Sequence, residues 1–253
     1  MRILQALAVS AVIFASAPAL AAGEALTPPD ARFSFNSLFG TVDRASAQRG
    51  FQVYKEVCSA CHAMRQLSYR NLMDLGLTEA QVREIAATFT VTDGPNDEGQ
   101  MFERPGRVPD RFRRPFPNEQ AARAANNGAY PPDLSVMTKA RQGGADYIHA
   151  LLTGYVDPPA GVTVMEGMNY NPWFAGGQIA MGPVLNEDQI DYADGTKATI
   201  DQMSRDVTTF LAWAAEPEME SRRAMGVKVL IFLAILGGLV YATKRRVWAD
   251  VKT

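Results

Sequence analysis

The amino-acid sequence predicts a mainly α domain with long, turn-rich connections, followed by one C-terminal transmembrane helix. Three observations carry this. Apolar residues recur at helical spacing in several separate segments. The 253 residues contain 15 prolines and 20 glycines, many of them in turn-forming clusters between those segments. One uninterrupted apolar run near the C-terminus is long enough to cross a bilayer.

The elements follow in order. Residues 1–22 read as a cleaved secretory signal peptide, with Arg2, an apolar run through Leu7, Val12, Ile13 and Phe14, and Ala19-Leu20-Ala21 as the cleavage site. A mitochondrial transit peptide would be rich in Arg and Ser, which one arginine does not supply, so a bacterial exported protein is expected. Residues 23–223 then form one periplasmic domain. A helix is expected over Ala45–Val57, where Phe51, Tyr54 and Val57 share a face. Thr78–Thr88 reads as an amphipathic helix and Gly144–Leu152 as a shorter one. Thr199–Ala215 is the clearest, with Thr199 and Gln202 as a capping box, Val207, Phe210, Leu211 and Ala214 in helical repeat, and Pro217 as a stop. It is expected to pack on the Ala45–Val57 helix. Asp93-Gly94-Pro95-Asn96, Arg104-Pro105-Gly106 and Pro131-Pro132-Asp133 are turn or extended signals, so strands are expected to be few and short.

Residues 224–243 form the membrane anchor, about twenty residues that span about 30 Å of hydrocarbon. Lys228 is their single charge, and Val229–Tyr241 has no polar face, unlike a helix lying on a core. In the tail, residues 244–253, Lys244, Arg245, Arg246 and Lys252 assign the C-terminus to the cytoplasm. The expected topology is a single pass through the bacterial inner membrane.

Setting aside Arg2, Lys228, Asp250 and the four basic tail residues leaves 19 basic against 26 acidic side chains, a net charge of −7 on the exported domain. That balance excludes nucleic acid and suits a basic partner.

Both cysteines of the chain lie in Cys58-Ser59-Ala60-Cys61-His62. CxxCH is the spacing at which two thiols add to the vinyl groups of a porphyrin and the following histidine becomes the proximal iron ligand. One covalently attached c-type haem is therefore expected, with Cys58 and Cys61 as anchors and His62 on the iron. A redox-active CxxC belongs between a strand and a helix, a pattern this segment lacks. A structural zinc wants four ligands, and His149 is the only other histidine.

An iron that passes electrons needs a second protein ligand, whereas an open iron site suits oxygen or peroxide chemistry. His149 falls on a helix face, where a lone histidine is usually scaffold. Met64 and Met73 follow the motif too closely to wrap round the ring, and Met203 and Met219 lie in or beside the last domain helix. Met181 sits in Gly176-Gly177-Gln178-Ile179-Ala180-Met181-Gly182-Pro183, a small-residue segment able to approach a haem face closely. Composition and spacing place it ahead of Met165, Met168, Met137 and Met101 without removing them. A thioether favours ferrous iron and raises the potential relative to two histidines.

From about Gly50 onward the chain resembles the cytochrome c1 family, the haem subunits of cytochrome bc1 complexes. The segments that carry the resemblance are VCSACH at Val57–His62, DGPNDEGQMFERPG at Asp93–Gly106, AARAANNGAYPPDLS at Ala121–Ser135, RQGGADYIHALLTGY at Arg141–Tyr155, NYNPWFAGGQIAMGP at Asn169–Pro183 and FLAWAAEPE at Phe210–Glu218. The resemblance implies a class I cytochrome c-like haem domain with long loop insertions, and Met181 as the sixth iron ligand. It implies Arg141 beside a haem propionate, a haem-lining loop over Asn126–Ser135 that includes Asn126 and Pro132, and Tyr147 in another matching stretch.

The resemblance further implies an electron carrier that is not itself an enzyme. It would take one electron from a Rieske iron-sulfur protein and pass it to a soluble, basic cytochrome c. Its helix would dock on cytochrome b in a dimeric complex. Asp93–Glu103 and Glu216–Glu220 are the acidic stretches expected to receive the basic partner. A freestanding anchored cytochrome serving a terminal oxidase is the alternative, and a peroxidase is disfavoured because exported c-type peroxidases generally carry two haems. The extra disulfide of some bacterial relatives is out of reach for a chain whose two cysteines are both anchors.

Overall fold

A computed structural model describes residues 26–250. The expected signal peptide lies outside the described residues, as does Lys252. The fold is mainly helical, as expected. The helices are α1 (Arg44–Glu56), α2 (Glu79–Ala87), α3 (Glu119–Ala125), α4 (Gly144–Thr153), α5 (Ile200–Ala215) and α6 (Met219–Val247). Antiparallel strands β1 (Thr90–Asp93) and β2 (Phe102–Pro105) form one ribbon, and the two-residue strands β3 (Asn169–Tyr170) and β4 (Gln178–Ile179) another.

Side chains start the helices by satisfying backbone N–H groups that lack intrahelical partners. Asp43 accepts from the amides of Ala45 and Ser46, Thr78 and Gln81 form a reciprocal capping box, and Thr199 accepts from Gln202. The elements that went unread in the sequence include α3 and a 3-10 helix over Tyr69–Leu75. Each of these two is seven residues long, too short for helical periodicity to register.

The core is built on α5, which packs against both α1 and α4. At the α1–α5 crossing, a Cβ on Gly50 would lie 1.9 Å from the carbonyl oxygen of Asp206. Glycine is what permits the two backbones to approach so closely. The Asp206 carboxylate is buried there and accepts from Ser46 Oγ (2.7 Å), Arg49 Nε (2.9 Å) and Gln202 Nε2 (3.0 Å), so its burial is compensated by donors on both helices. Phe51, Tyr54, Phe112 and Phe210 stack around the crossing at centroid separations of 5.7–5.9 Å. Each ring removed from water there contributes about 1.5–3 kcal/mol.

The apolar run forms a single helix with α6, which is longer than the expected anchor at both ends and spans 29 residues. Its hydrophobic stretch has a mean hydropathy of 2.2 and none of it is buried by the rest of the chain. By length and composition it can cross a membrane.

Candidate haem site

The last turn of α1 delivers the CxxCH segment. Cys58–Ala60 continue as a 3-10 turn in which the amides of Cys61 and His62 both donate to the Cys58 carbonyl, at 3.1 and 2.9 Å. This tight turn projects Cys58, Cys61 and His62 from one short stretch of backbone. Both thiols are free, Cys58 half-buried and Cys61 exposed. Burial, reinforced by the charge of Cys61, pushes the Cys58 thiol up to about 12. A thiol–disulfide catalyst needs the opposite shift.

The His62 ring is fixed from the far side of the sequence, by its Nδ1 lying 2.8 Å from the carbonyl oxygen of Pro132. That carbonyl can only accept, so Nδ1 carries the proton and Nε2 keeps the lone pair that a metal requires. Burial holds the imidazole below its usual pKa despite the opposing effects of Pro132 and Asp133, which favours the neutral ligating form. The Pro131–Ser135 segment is held in place by the residues after the motif. Leu134 N donates to Ala63 O (2.8 Å), and Arg65 donates to Asp133 through its amide (2.9 Å) and its Nε (3.0 Å). Gln66 N donates to Ser135 Oγ (3.1 Å). Two thiols and an oriented imidazole on one turn fit covalent haem attachment.

Met181 is positioned from α4. Buried Asn171 donates from Nδ2 to Leu151 O (2.8 Å), and Trp173 lies so near Gly154 that a Cβ there would sit 2.2 Å from its ring. These contacts fix the β3–β4 ribbon on the C-terminal end of α4. Gly176 and Gly177 turn the ribbon with φ of 82° and 71°, the left-handed region that favours glycine. Just beyond it, the Tyr155 hydroxyl donates to Met181 O at 2.9 Å. Burial, then the proximity of Tyr147, pushes the Tyr155 hydroxyl up to about 12, so it stays a donor.

A family model described as the Cytochrome C1 family matches residues 33–251. The chain belongs to the cytochrome c1 family. Among curated relatives, "Cytochrome c1 1, heme protein, mitochondrial" of Arabidopsis thaliana is 50% identical over 230 residues, covering 90% of this chain and 74% of the relative. "Cytochrome b-c1 complex catalytic subunit, mitochondrial" of Candida albicans is 51% identical over 233 residues, covering 92% and 81%. "Cytochrome b/c1" of Bradyrhizobium diazoefficiens is 49% identical over 245 residues, covering 88% of this chain and 36% of that longer protein.

In this cytochrome c1 chain the candidate residues fall into two groups. Cys58, Cys61, His62 and Pro132 come together at the end of α1, where Pro132 meets the histidine ring through its carbonyl. Arg141 and Tyr147 meet at the start of α4, and Met181 is tied to Tyr155 just beyond its end. The Arg141 guanidinium faces the Tyr147 hydroxyl and offsets part of the upward shift that burial causes, and Tyr155, which sequence reasoning missed, lies near enough to Tyr147 to feel its charge and donates to Met181 O. Asn126 stands apart as the C-terminal cap of α3, donating to Ala122 O at 2.7 Å. Ala122 in turn lines an open cleft with Cys61, Arg65, Arg114 and Tyr130. Two guanidiniums on that cleft, also unforeseen, are suited to carboxylates.

Of the other methionines, Met137 is buried, whereas Met101 and Met165 are exposed. His149 is occupied by scaffold contacts, its Nε2 lying 3.0 Å from Asp201 Oδ1 on α5.

The two acidic stretches differ in how far they are engaged within the chain. Glu220 is held by Arg44 at 3.0 Å, and Glu216 is paired with Arg222 and with Lys139 at 3.4 Å, so these acids tie the base of α6 to the domain. In the other stretch Asp93 is paired with Arg104. Asp97, Glu98 and Glu103 are exposed on the β1–β2 ribbon without an ion-pair partner among the described residues.

Proposed function

We propose that the chain is the haem-carrying electron-transfer subunit of a cytochrome bc1 complex. It takes one electron from a Rieske iron-sulfur protein and passes it to a soluble, basic cytochrome c, and it catalyses no reaction by itself. When bound, the haem supplies a one-electron ferric/ferrous couple. The carrying observation is the His62 ring set by Pro132 O at 2.8 Å within the CxxCH turn, which leaves Nε2 as the atom to hold the iron. Met181 would be the sulfur ligand, its segment held by the Tyr155 hydroxyl, and Arg141 would offer a guanidinium to a propionate. Two protein ligands would leave the iron no open position for peroxide. Asp97, Glu98 and Glu103 offer uncompensated negative charge to a basic partner.

Residues 23–223 are assigned to the periplasm, 224–243 to the bacterial inner membrane and 244–253 to the cytoplasm, with 1–22 removed as the signal. The helix docks on cytochrome b within a dimeric complex. The fused name of the Bradyrhizobium relative supports pairing with a b-type subunit. Detergent solubilisation of the native membranes tests the assignment. The haem of this chain is expected to copurify with b-type haem and with quinol-dependent cytochrome c reduction. Its separation from both, in a fraction that feeds a terminal oxidase, would establish the freestanding carrier instead.

A further inference from the structure

Leu38 and Phe39 are 74% and 76% exposed, more than any other large apolar residue among the described residues. They form the tip of a closely tied turn. Ser34 Oγ donates to Thr41 O (2.8 Å) and Gly40 N to Ser37 O (3.0 Å). A Cβ on Gly40 would lie 2.1 Å from Ser34 O, so the turn closes only around glycine. Phe33 and Phe35, just before the tip, are buried and stacked at 5.1 Å. The same short segment thus buries two aromatic side chains and holds two apolar ones out.

The position of this tip is set by α6. Arg223 Nη1 donates to the carbonyls of Phe35 (3.0 Å), Ser37 (2.9 Å) and Gly40 (2.9 Å), so it binds the turn on both sides of Leu38 and Phe39. Near the start of the helix, Glu220 accepts from Val42 N (2.9 Å) and pairs with Arg44. Arg223 immediately precedes the apolar run that begins at Ala224. The tip is therefore held at the height where the helix leaves its polar surroundings. Arg223, engaged with the turn, and Arg222, paired with Glu216, put cationic side chains there with exposed apolar groups beside them, the combination found at a membrane interface.

We propose that Leu38 and Phe39 enter the boundary between headgroups and acyl chains in the leaflet on the domain's side. They give the haem domain a second contact with the bilayer and fix its tilt on α6. A domain tethered by one helix would otherwise be restrained at one point. The proposal rests on α6 as a membrane span.

The test uses the full-length holoprotein, whose own cysteines are consumed by haem attachment, with nitroxide labels at Leu38→Cys, Phe39→Cys, Leu236→Cys and Glu84→Cys. It is placed in phosphatidylcholine vesicles, alone and in the assembled complex, with the haem left oxidised and its own relaxation of each label subtracted as the reagent-free value. Accessibility to oxygen is compared with accessibility to a water-soluble nickel chelate. Labels at 38 and 39 are expected to favour oxygen severalfold over the label on exposed Glu84, in both preparations. Preference for the chelate at 38 and 39, with Leu236 still favouring oxygen, overturns the proposal alone. Shielding from both reagents only in the complex also overturns it, because a neighbouring subunit then covers the tip. Preference for the chelate at Leu236 overturns the span, and the proposal with it.

Discussion

The Tyr155 hydroxyl donates a 2.9 Å hydrogen bond to the main-chain carbonyl of Met181, across 26 residues of chain. Removing it with Tyr155→Phe forfeits about 1 kcal/mol of restraint, roughly a fivefold gain in any state with the methionine displaced. The expected outcome is a ferric methionine signature lost at lower alkaline pH than in the parent protein. The His62 side should be unaltered, so the ferrous haem remains attached and low-spin once reduced.

Met181→Leu separates ligation from packing. The two side chains have similar volume, so the fold should lose less than about 1.5 kcal/mol. The visible spectrum should nevertheless lose its low-spin methionine signature, and the midpoint potential should fall. A signature unchanged from the parent would falsify Met181 as the sulfur ligand and return Met168 or Met137 to consideration.

Gly50→Ala should be costly for a residue that touches no proposed ligand. Its added methyl would meet the Asp206 carbonyl at 1.9 Å, forcing α1 from α5 at a cost of about 3 kcal/mol. Because α1 carries the CxxCH turn, thermal unfolding should shift down and the yield of attached haem should drop with it. Equal thermal midpoints for the two proteins would show that the crossing relaxes freely.

Acid should weaken the α4–α5 contact through His149. Burial holds this imidazole below its usual pKa, against the pull of Asp201 and Asp146, while Arg205 lowers it further. The unfolded chain therefore binds the proton first, near about pH 6.5. Stability from this group is complete above that pH and declines as the pH falls toward the lowered folded value. His149→Gln should flatten the slope of thermal midpoint between pH 7 and 5, since glutamine does not titrate. His62, once on the iron, contributes nothing in that window.

Neutralising Asp97, Glu98 and Glu103 together as Asn, Gln and Gln should slow reduction of a basic cytochrome c at low salt and reduce the dependence of the rate on ionic strength. The same change at Glu220 should instead lower stability, because Arg44 loses its ionic partner and the Val42 amide its charged acceptor. A slowed rate with undiminished salt dependence would place the docking surface elsewhere.

The parts of this protein legible in sequence are those whose signals are local. Periodic apolar residues placed α1 and α5 to within a residue or so, because one face of a helix must be buried over several turns. Uninterrupted apolarity marked α6, and Cys58, Cys61 and His62 are legible as the proposed haem-attachment residues because one turn of backbone holds them at the required spacing. The short α3 and the Tyr69–Leu75 turn carry no such repeat, and their formation depends on caps and packing.

The sequence alone thus determined the helical scaffold, the haem-attachment motif and the apolar helix. Tertiary structure decided that Pro132 orients His62 across a separation of 70 positions, that Tyr155 restrains Met181, and that Glu216 and Glu220 serve the base of α6. Each of these is a hydrogen bond or ion pair between distant segments, whose energy depends on two groups meeting in space and leaves no periodic trace along the chain.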